Sequence, residues 1–276
     1  MTQLSTDLLI DIDQFDFLPL SDEENEKVLE HVGTHISHVN GTPTQEQWNC
    51  AWDDMGNCES PTYYKPRFSL GDYGVYRYRQ KFVKYNYHKN IESVLHDMLL
   101  EKIQNKYLTD IDCVVEFGCG TGHNLKKIRE RNPEISVFGS DWAGSSQEIL
   151  SKSNITSWNF DMTSDQDSIH PEVFNYQDIC FLTVGSLEQI GSKWGNFLNL
   201  MLKVRPKRSI HVEPIIEFYD DTNAIDKLAI QYHLKRGYLN GFFNSVCKLN
   251  ELKFYQRIPF GNTYNEGFNI IVMEYK

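Results

Sequence analysis

The chain has 276 residues, 40% hydrophobic and 24% charged, with a formal net charge of -11. That length is ample for a buried core, as one large domain or a core with a smaller cap, and the composition is ordinary for a globular protein. No apolar run reaches the roughly 18 residues of a membrane span, and residues 1–17 lack the basic start of a signal peptide. The acidic balance argues against nucleic acid, whose phosphates are bound largely by Lys and Arg. The six cysteines, at 50, 58, 113, 119, 180 and 247, form no C-x-x-C pair. A reduced, cytoplasmic protein without a structural metal is therefore expected.

Ser21 followed by Glu24 is a capping box, so a helix is predicted from Asp22 to about residue 32. Residues 40–72 read as irregular, with Trp48, Trp52, Tyr63, Tyr64 and Phe68 among turn formers. Residues 73–87 add tyrosines and basic side chains, including Tyr76, Arg77 and Arg79. Residues 1–90 are expected to form an N-terminal helical and aromatic cap. From residue 91, helix and strand patterns alternate, as in an α/β fold with a mostly parallel, doubly wound sheet. Strands are predicted near 112–117, 135–139, 155–160, 179–184 and 209–213. Helices are predicted over 91–108, 124–131, 146–151 and 194–204, with a long one over 223–249 broken near Gly237. Two last strands, 252–258 and 268–275, close the pattern.

Between the first strand and its helix lies Glu116-Phe117-Gly118-Cys119-Gly120-Thr121-Gly122. Glycines let the backbone approach a ligand where a Cβ would obstruct it. A dinucleotide site would read G-x-G-x-x-G, but His123 occupies the third glycine position, and Glu116 would repel a pyrophosphate. Acids recur at the next two strand ends, Asp141 and Asp161. In a doubly wound sheet the carboxyl ends of the strands carry the ligand.

The G-x-G-x-G turn, the acid before it and the acidic strand ends resemble the class I S-adenosylmethionine-dependent methyltransferases. The resemblance covers roughly residues 91–276 and implies their seven-stranded sheet, with S-adenosylmethionine as cofactor. It implies that Asp141 accepts from the ribose hydroxyls and that Asp161 reads the adenine amino group. Trp142 and the Met162 backbone would flank the adenine, and Glu116 would orient the amino acid end. Gly118, Gly120, Asn124 and Thr183 complete the expected cofactor contacts.

A small polar acceptor, sugar-like or anionic, methylated on oxygen, is the expected substrate. Methylation at nitrogen of a small molecule or peptide, and a non-catalytic binding role for the fold, are the alternatives. No Asn/Asp-Pro-Pro-Tyr/Phe follows strand four, so methyltransferases that act on the amino groups of DNA bases or on certain protein amides are disfavoured, and Glu188 alone does not make the double-glutamate loop of protein arginine methyltransferases. Glu188 and Glu213 are the candidate catalytic carboxylates. Tyr76, Arg77, Gln189 and His211 are candidate acceptor contacts. His31, His35 and His38 would share one helix face, but Gly33 and Thr34 weaken a helix there, and no metal is expected.

Overall fold

A computed structural model describes residues 12–56, 74–85 and 91–276. The expectations for Cys58, Tyr63, Tyr64, Phe68, Tyr73 and Tyr87 lie outside the described residues.

In the N-terminal part a 3-10 turn (Ile12–Gln14) precedes a short strand, β1 (Leu18–Pro19), followed by helices α1 (Asp22–His38) and α2 (Gln45–Gly56) and a hairpin, β2 (Val75–Tyr78) and β3 (Lys81–Lys84). The α1 capping box forms in both directions: Glu24 N donates to Ser21 Oγ at 3.3 Å and Ser21 N to Glu24 Oε2 at 2.9 Å. The helix runs past the expected stop near residue 32. Val32 and Ile36 are buried together with Tyr232 and Tyr238, and that burial outweighs the weak propensity of Gly33 and Thr34.

α2 replaces part of the expected irregular region. Its start is a second capping box, with Gln47 N on Thr44 Oγ1 and Thr44 N on Gln47 Oε1. Trp48, Ala51, Trp52 and Met55 follow at the i, i+3, i+4, i+7 spacing of one helical face.

The remainder is the α/β core: α3 (Ile91–Tyr107), β4 (Cys113–Phe117), α4 (His123–Arg131), β5 (Ser136–Asp141), α5 (Gly144–Lys152), β6 (Thr156–Asn159), β7 (Ile179–Val184), α6 (Gly195–Val204) and β8 (Arg208–Glu213). Then come α7 (Ala224–Arg236), α8 (Phe242–Val246), β9 (Leu252–Gln256), β10 (Phe260–Gly261) and β11 (Asn269–Glu274). The large sheet runs β6-β5-β4-β7-β8-β11-β9. Strands β4 to β8 pair in parallel, and β11 enters antiparallel between β8 and β9. This is the seven-stranded, mostly parallel arrangement that the sequence resemblance implies. The strand order reverses beside β4, which places a ligand crevice at its carboxyl end.

Alternation along the strands separates two apolar layers. Val114, Leu182, Ile210 and Val272 share one with α3, α4 and α5. Val115, Phe117, Phe181 and Ile271 share the other with α6 and α8. Phe117 makes edge contacts with Phe160, Phe181 and Phe197 at ring separations of 5.1, 5.0 and 4.9 Å. The expected break near Gly237 is a left-handed helix end: Gly237 has φ +63°, and its N–H bonds back into α7. Among the described residues no helix is long and apolar enough to cross a membrane.

A second sheet, β1-β3-β2-β10, crosses the expected boundary at residue 90. Its strand β10 comes from the segment between β9 and β11, so the N-terminal hairpin pairs directly with the C-terminal part of the chain. A buried charge cluster sits beside this joint. Asp226 on α7 accepts from Arg77 Nη2 at 2.9 Å, Gln80 Nε2 at 2.9 Å, Arg257 Nη2 at 2.9 Å and Asp220 N at 3.0 Å. Arg257 also binds Glu266 through Nε at 2.7 Å. Burial pushes the Asp226 pKa up, but these bonds outweigh it and hold the carboxyl below its ordinary value. The hairpin turn, Arg79 and Gln80, has φ +47° and +61°. The strain of two non-glycine residues there is offset where Gln80 reaches Asp226.

Asp226→Asn is expected to lower stability by about 3–5 kcal/mol, since it strips a counter-charge from the fully buried Arg77. Gln80→Ala should cost about 1 kcal/mol. Chemical-denaturation midpoints read both.

Candidate active site

The glycine turn is built by close approach. Gly118 sits at φ +69°, and a Cβ there would lie 2.3 Å from Ser186 Cβ. Its N–H donates to Ser140 O at 2.7 Å, and Ser186 Oγ donates to Phe117 O at 2.7 Å. The ends of β4, β5 and β7 are thereby tied together. A Cβ on Gly120 would lie 2.8 Å from the Trp52 ring, so the α2 indole rests directly on the turn. α2 is held in place by Ser145 Oγ donating to Asn49 O at 3.0 Å and by the packing of Trp52 and Met55 against Ala143.

A cleft of about 780 Å³ opens at these strand ends, within the range of small-molecule sites. Glu116, Gly118, Gly120, Asn124, Asp141, Trp142, Asp161, Met162, Glu188 and Gln189 all line it. The three acidic strand ends are thus brought to one cavity, as the sequence pattern anticipates.

Each carboxylate has a distinct setting. Glu116 is buried, with Oε1 accepting from Asn124 Nδ2 at 2.6 Å, while Oε2 has no hydrogen-bond partner among the described residues. Burial, and secondarily the nearby Asp141 charge, push its pKa up to about 8. Asn124 is held in turn by His96 Nε2 at 2.6 Å, which fixes the amide's orientation. Asp141 accepts from Gly120 N and Ala143 N, both at 2.9 Å, and burial raises it to about 6. An ionised carboxylate has about four acceptor positions, so two bonds leave capacity for further donors. Asp161 is held by Thr163 through N and Oγ1, both at 2.8 Å, in a turn at the mouth.

This donor set fits the amino acid end, ribose and base of S-adenosylmethionine. An orphaned, buried carboxylate oxygen beside a glycine turn suits a cationic amine. Asp141 suits a diol, and Trp142, Phe160 and Met162 supply apolar walls for a flat base.

Five expected site residues do not reach the cleft. Thr183 and His211 are fully buried and bond each other at 2.9 Å, and His211 also meets Ser209 Oγ at 3.1 Å. Burial lowers the His211 pKa to about 3, so it stays neutral within the core. Glu213 is fully buried as well. Its Oε1 accepts from Ser186 N and Leu187 N, at 3.2 and 3.0 Å, and its Oε2 from Glu188 N at 3.1 Å. It is a positioning residue that holds the loop bearing Glu188, not an acceptor-site base. Arg77 is consumed by Asp226, with its guanidinium over the Tyr219 ring, and Tyr76 is buried against Phe260.

The structure adds residues that sequence reasoning passed over. His31 and His35 of α1, Trp48 and Trp52 of α2, Tyr232 and Arg236 of α7, and Tyr238 and Tyr264 line the same cleft. Among the described residues no group of three or more His, Cys, Asp or Glu could hold a metal ion. His38 instead meets Thr34 O at 2.8 Å.

No family model matches the chain, and no curated protein sequence matches it. Solved structures resemble it at low identity. PigF with SAH is 13% identical over 67% of this chain and 60% of its own, with TM-score 0.45. The CurJ carbon methyltransferase is 14% identical over 66% of this chain and 53% of its own, with TM-score 0.44. The [4+2]-cyclase SpnF is 15% identical over 64% of this chain and 63% of its own, with TM-score 0.42. The chain therefore spans less than two thirds of each of these proteins, and its own residues must carry the functional argument.

Glu213→Gln should turn an amide N–H₂ toward backbone N–H groups. A loss of about 2 kcal/mol is expected, read as a fall of roughly 4–8 °C in thermal midpoint. Glu188→Gln should change stability by less than about 0.5 kcal/mol.

Proposed function

We propose that the protein transfers a methyl group from S-adenosylmethionine to the oxygen of a small polar acceptor. The observation that carries this reading is the unpartnered Oε2 of Glu116, buried at the glycine turn in one cleft with Asp141 and Asp161. When bound, S-adenosylmethionine supplies an electrophilic methyl on a sulfonium. Glu116 holds the amino group, Asp141 the ribose hydroxyls and Asp161 the base edge. Trp52, lying on the glycine turn, excludes water from that end of the cleft. Glu188, on the loop after β7, takes the proton that the acceptor hydroxyl loses as its oxygen is methylated. Glu213 acts through Glu188 by fixing its backbone.

Calorimetry tests the cofactor assignment. Micromolar binding of S-adenosylmethionine and S-adenosylhomocysteine is expected, and absence of binding at millimolar concentration would sink the reading. Asp141→Ala should weaken binding on the order of a hundredfold, the loss of two charge-assisted bonds at about 1.5 kcal/mol each.

The pH dependence has a definite sign. Glu116 is raised to about 8 and is protonated in the free protein at neutral pH. A ligand ammonium pairs with its carboxylate form, so binding releases a proton. Cofactor affinity should therefore rise with pH between 6.5 and 7.5, by at most about tenfold per unit. Glu116→Gln should flatten that slope. An unchanged slope in this variant would place the amino group elsewhere.

A further inference from the structure

The far half of the cleft has a character of its own. The lining cations among the described residues are Lys193, exposed at the mouth, and Arg236, half-buried at the end of α7. Arg236 is held in place: Nε donates to Tyr232 Oη and Nη1 to Gly41 O, both at 3.2 Å, and its guanidinium lies over the Tyr232 and Tyr238 rings at 5.7 and 6.0 Å. Among the described residues Nη2 has no hydrogen-bond acceptor. Beside it runs an aromatic wall. Tyr232 and Tyr264 stack at 5.1 Å with an interplanar angle of 23°, and His35 lies 4.5 Å from Tyr264.

The backbone brings this wall to the methyl-transfer end. A Cβ on Gly191 would lie 2.4 Å from Gly237 O, so the loop after β7 touches the end of α7. Burial works against the Arg236 charge, but its pKa is held above the ordinary value by Tyr232 and Tyr238 and, to a lesser degree, by Glu188 on that loop.

We propose that the acceptor is a planar aromatic molecule bearing a single carboxylate, with its ring along Tyr232, Tyr264 and His35 and its carboxylate on the open edge of Arg236. This rests on the methyltransferase reading for the reaction, but not for the binding. A guanidinium with one unused edge suits a carboxylate. A monoanion matches one fixed cation, whereas a phosphate dianion would meet repulsion from Glu188. Flat walls favour a flat ligand, since aromatic contact adds to area burial. The anionic contact expected of Arg77 thus passes to Arg236, because Arg77 is spent inside the fold.

The test is binding of benzoate, 4-hydroxybenzoate and the neutral 4-hydroxybenzamide to protein loaded with S-adenosylhomocysteine, read by saturation-transfer NMR and calorimetry. The acids should bind at least about tenfold tighter than the amide, the worth of one charge-assisted bond. Arg236→Gln should abolish that preference, while Arg236→Lys, which keeps the charge, should retain part of it. S-adenosylhomocysteine affinity should stay within about twofold in both variants, which also reports that they fold. Equal binding of acid and amide, an acid preference surviving in Arg236→Gln, or no binding of either acid at 10 mM (about 2.7 kcal/mol of affinity) would each overturn the proposal. Should S-adenosylhomocysteine not bind while the acids still depend on Arg236, the methyltransferase reading fails and the acceptor site stands.

Discussion

The arrangement of the cleft depends on one buried carboxylate, Asp226. It gathers Arg77 and Gln80 from the N-terminal hairpin, Arg257 from the segment after β9 and the backbone of Asp220. Burying such a cluster adds little net stability over an apolar core, because desolvation consumes most of the Coulombic gain. Its consequence is geometric. These charges pair with one another across the joint, so the hairpin, α7 and the β10 segment are held in one register. α7 carries Tyr232 and Arg236, and the β10 segment leads to Tyr264. One half of the cleft is thus positioned by a charge cluster that does not line it.

The other half is positioned by backbone contact. Gly118 against Ser186, Gly120 against Trp52 and Gly191 against Gly237 are approaches that a Cβ would prevent. They bring the ends of β4, β5 and β7 within reach of α2 and α7. Glu213 completes this frame by accepting three successive N–H groups from the loop after β7. Glu116 at the glycine turn is disfavoured as a carboxylate by its burial. A Glu116 pushed to about 8 is neutral near pH 7, and its unpaired oxygen gains a partner only from a ligand.

The core was legible because each of its signals is local. Apolar strands followed by amphipathic helices, the glycine turn and acids at successive strand ends need no tertiary knowledge to be found. The N-terminal part is legible only in pieces. The Ser21–Glu24 box is plain, and the Thr44–Gln47 box with its Trp48, Trp52 and Met55 face was present but masked by the surrounding turn formers. The β2–β3 hairpin has no Asn-Gly or Asp-Gly turn; its left-handed Arg79 and Gln80 are sustained by contacts from across the chain. Side-chain assignments fail for the same reason. Arg77, His211 and Glu213 have the right chemistry for an acceptor site, yet their partners, Asp226, Thr183 and the Ser186–Glu188 backbone, are distant in sequence or across a strand.

The charge distribution of the cleft divides it into two chemistries. Glu116, Asp141 and Asp161 make the strand-end half acidic, suited to a cationic amine, a diol and a donor-bearing base. Arg236 and the tyrosines make the α7 half cationic and aromatic. In a chain of net charge -11, a half-buried Arg236 with one guanidinium edge open beside an aromatic wall suits an anionic ligand. A ligand with the same polarity, positive toward the glycine turn and negative toward α7, lies along that gradient. A sulfonium at one end and a carboxylate-bearing acceptor at the other satisfy it together, and Glu188 stands on the loop between the two halves, where a hydroxyl proton must leave.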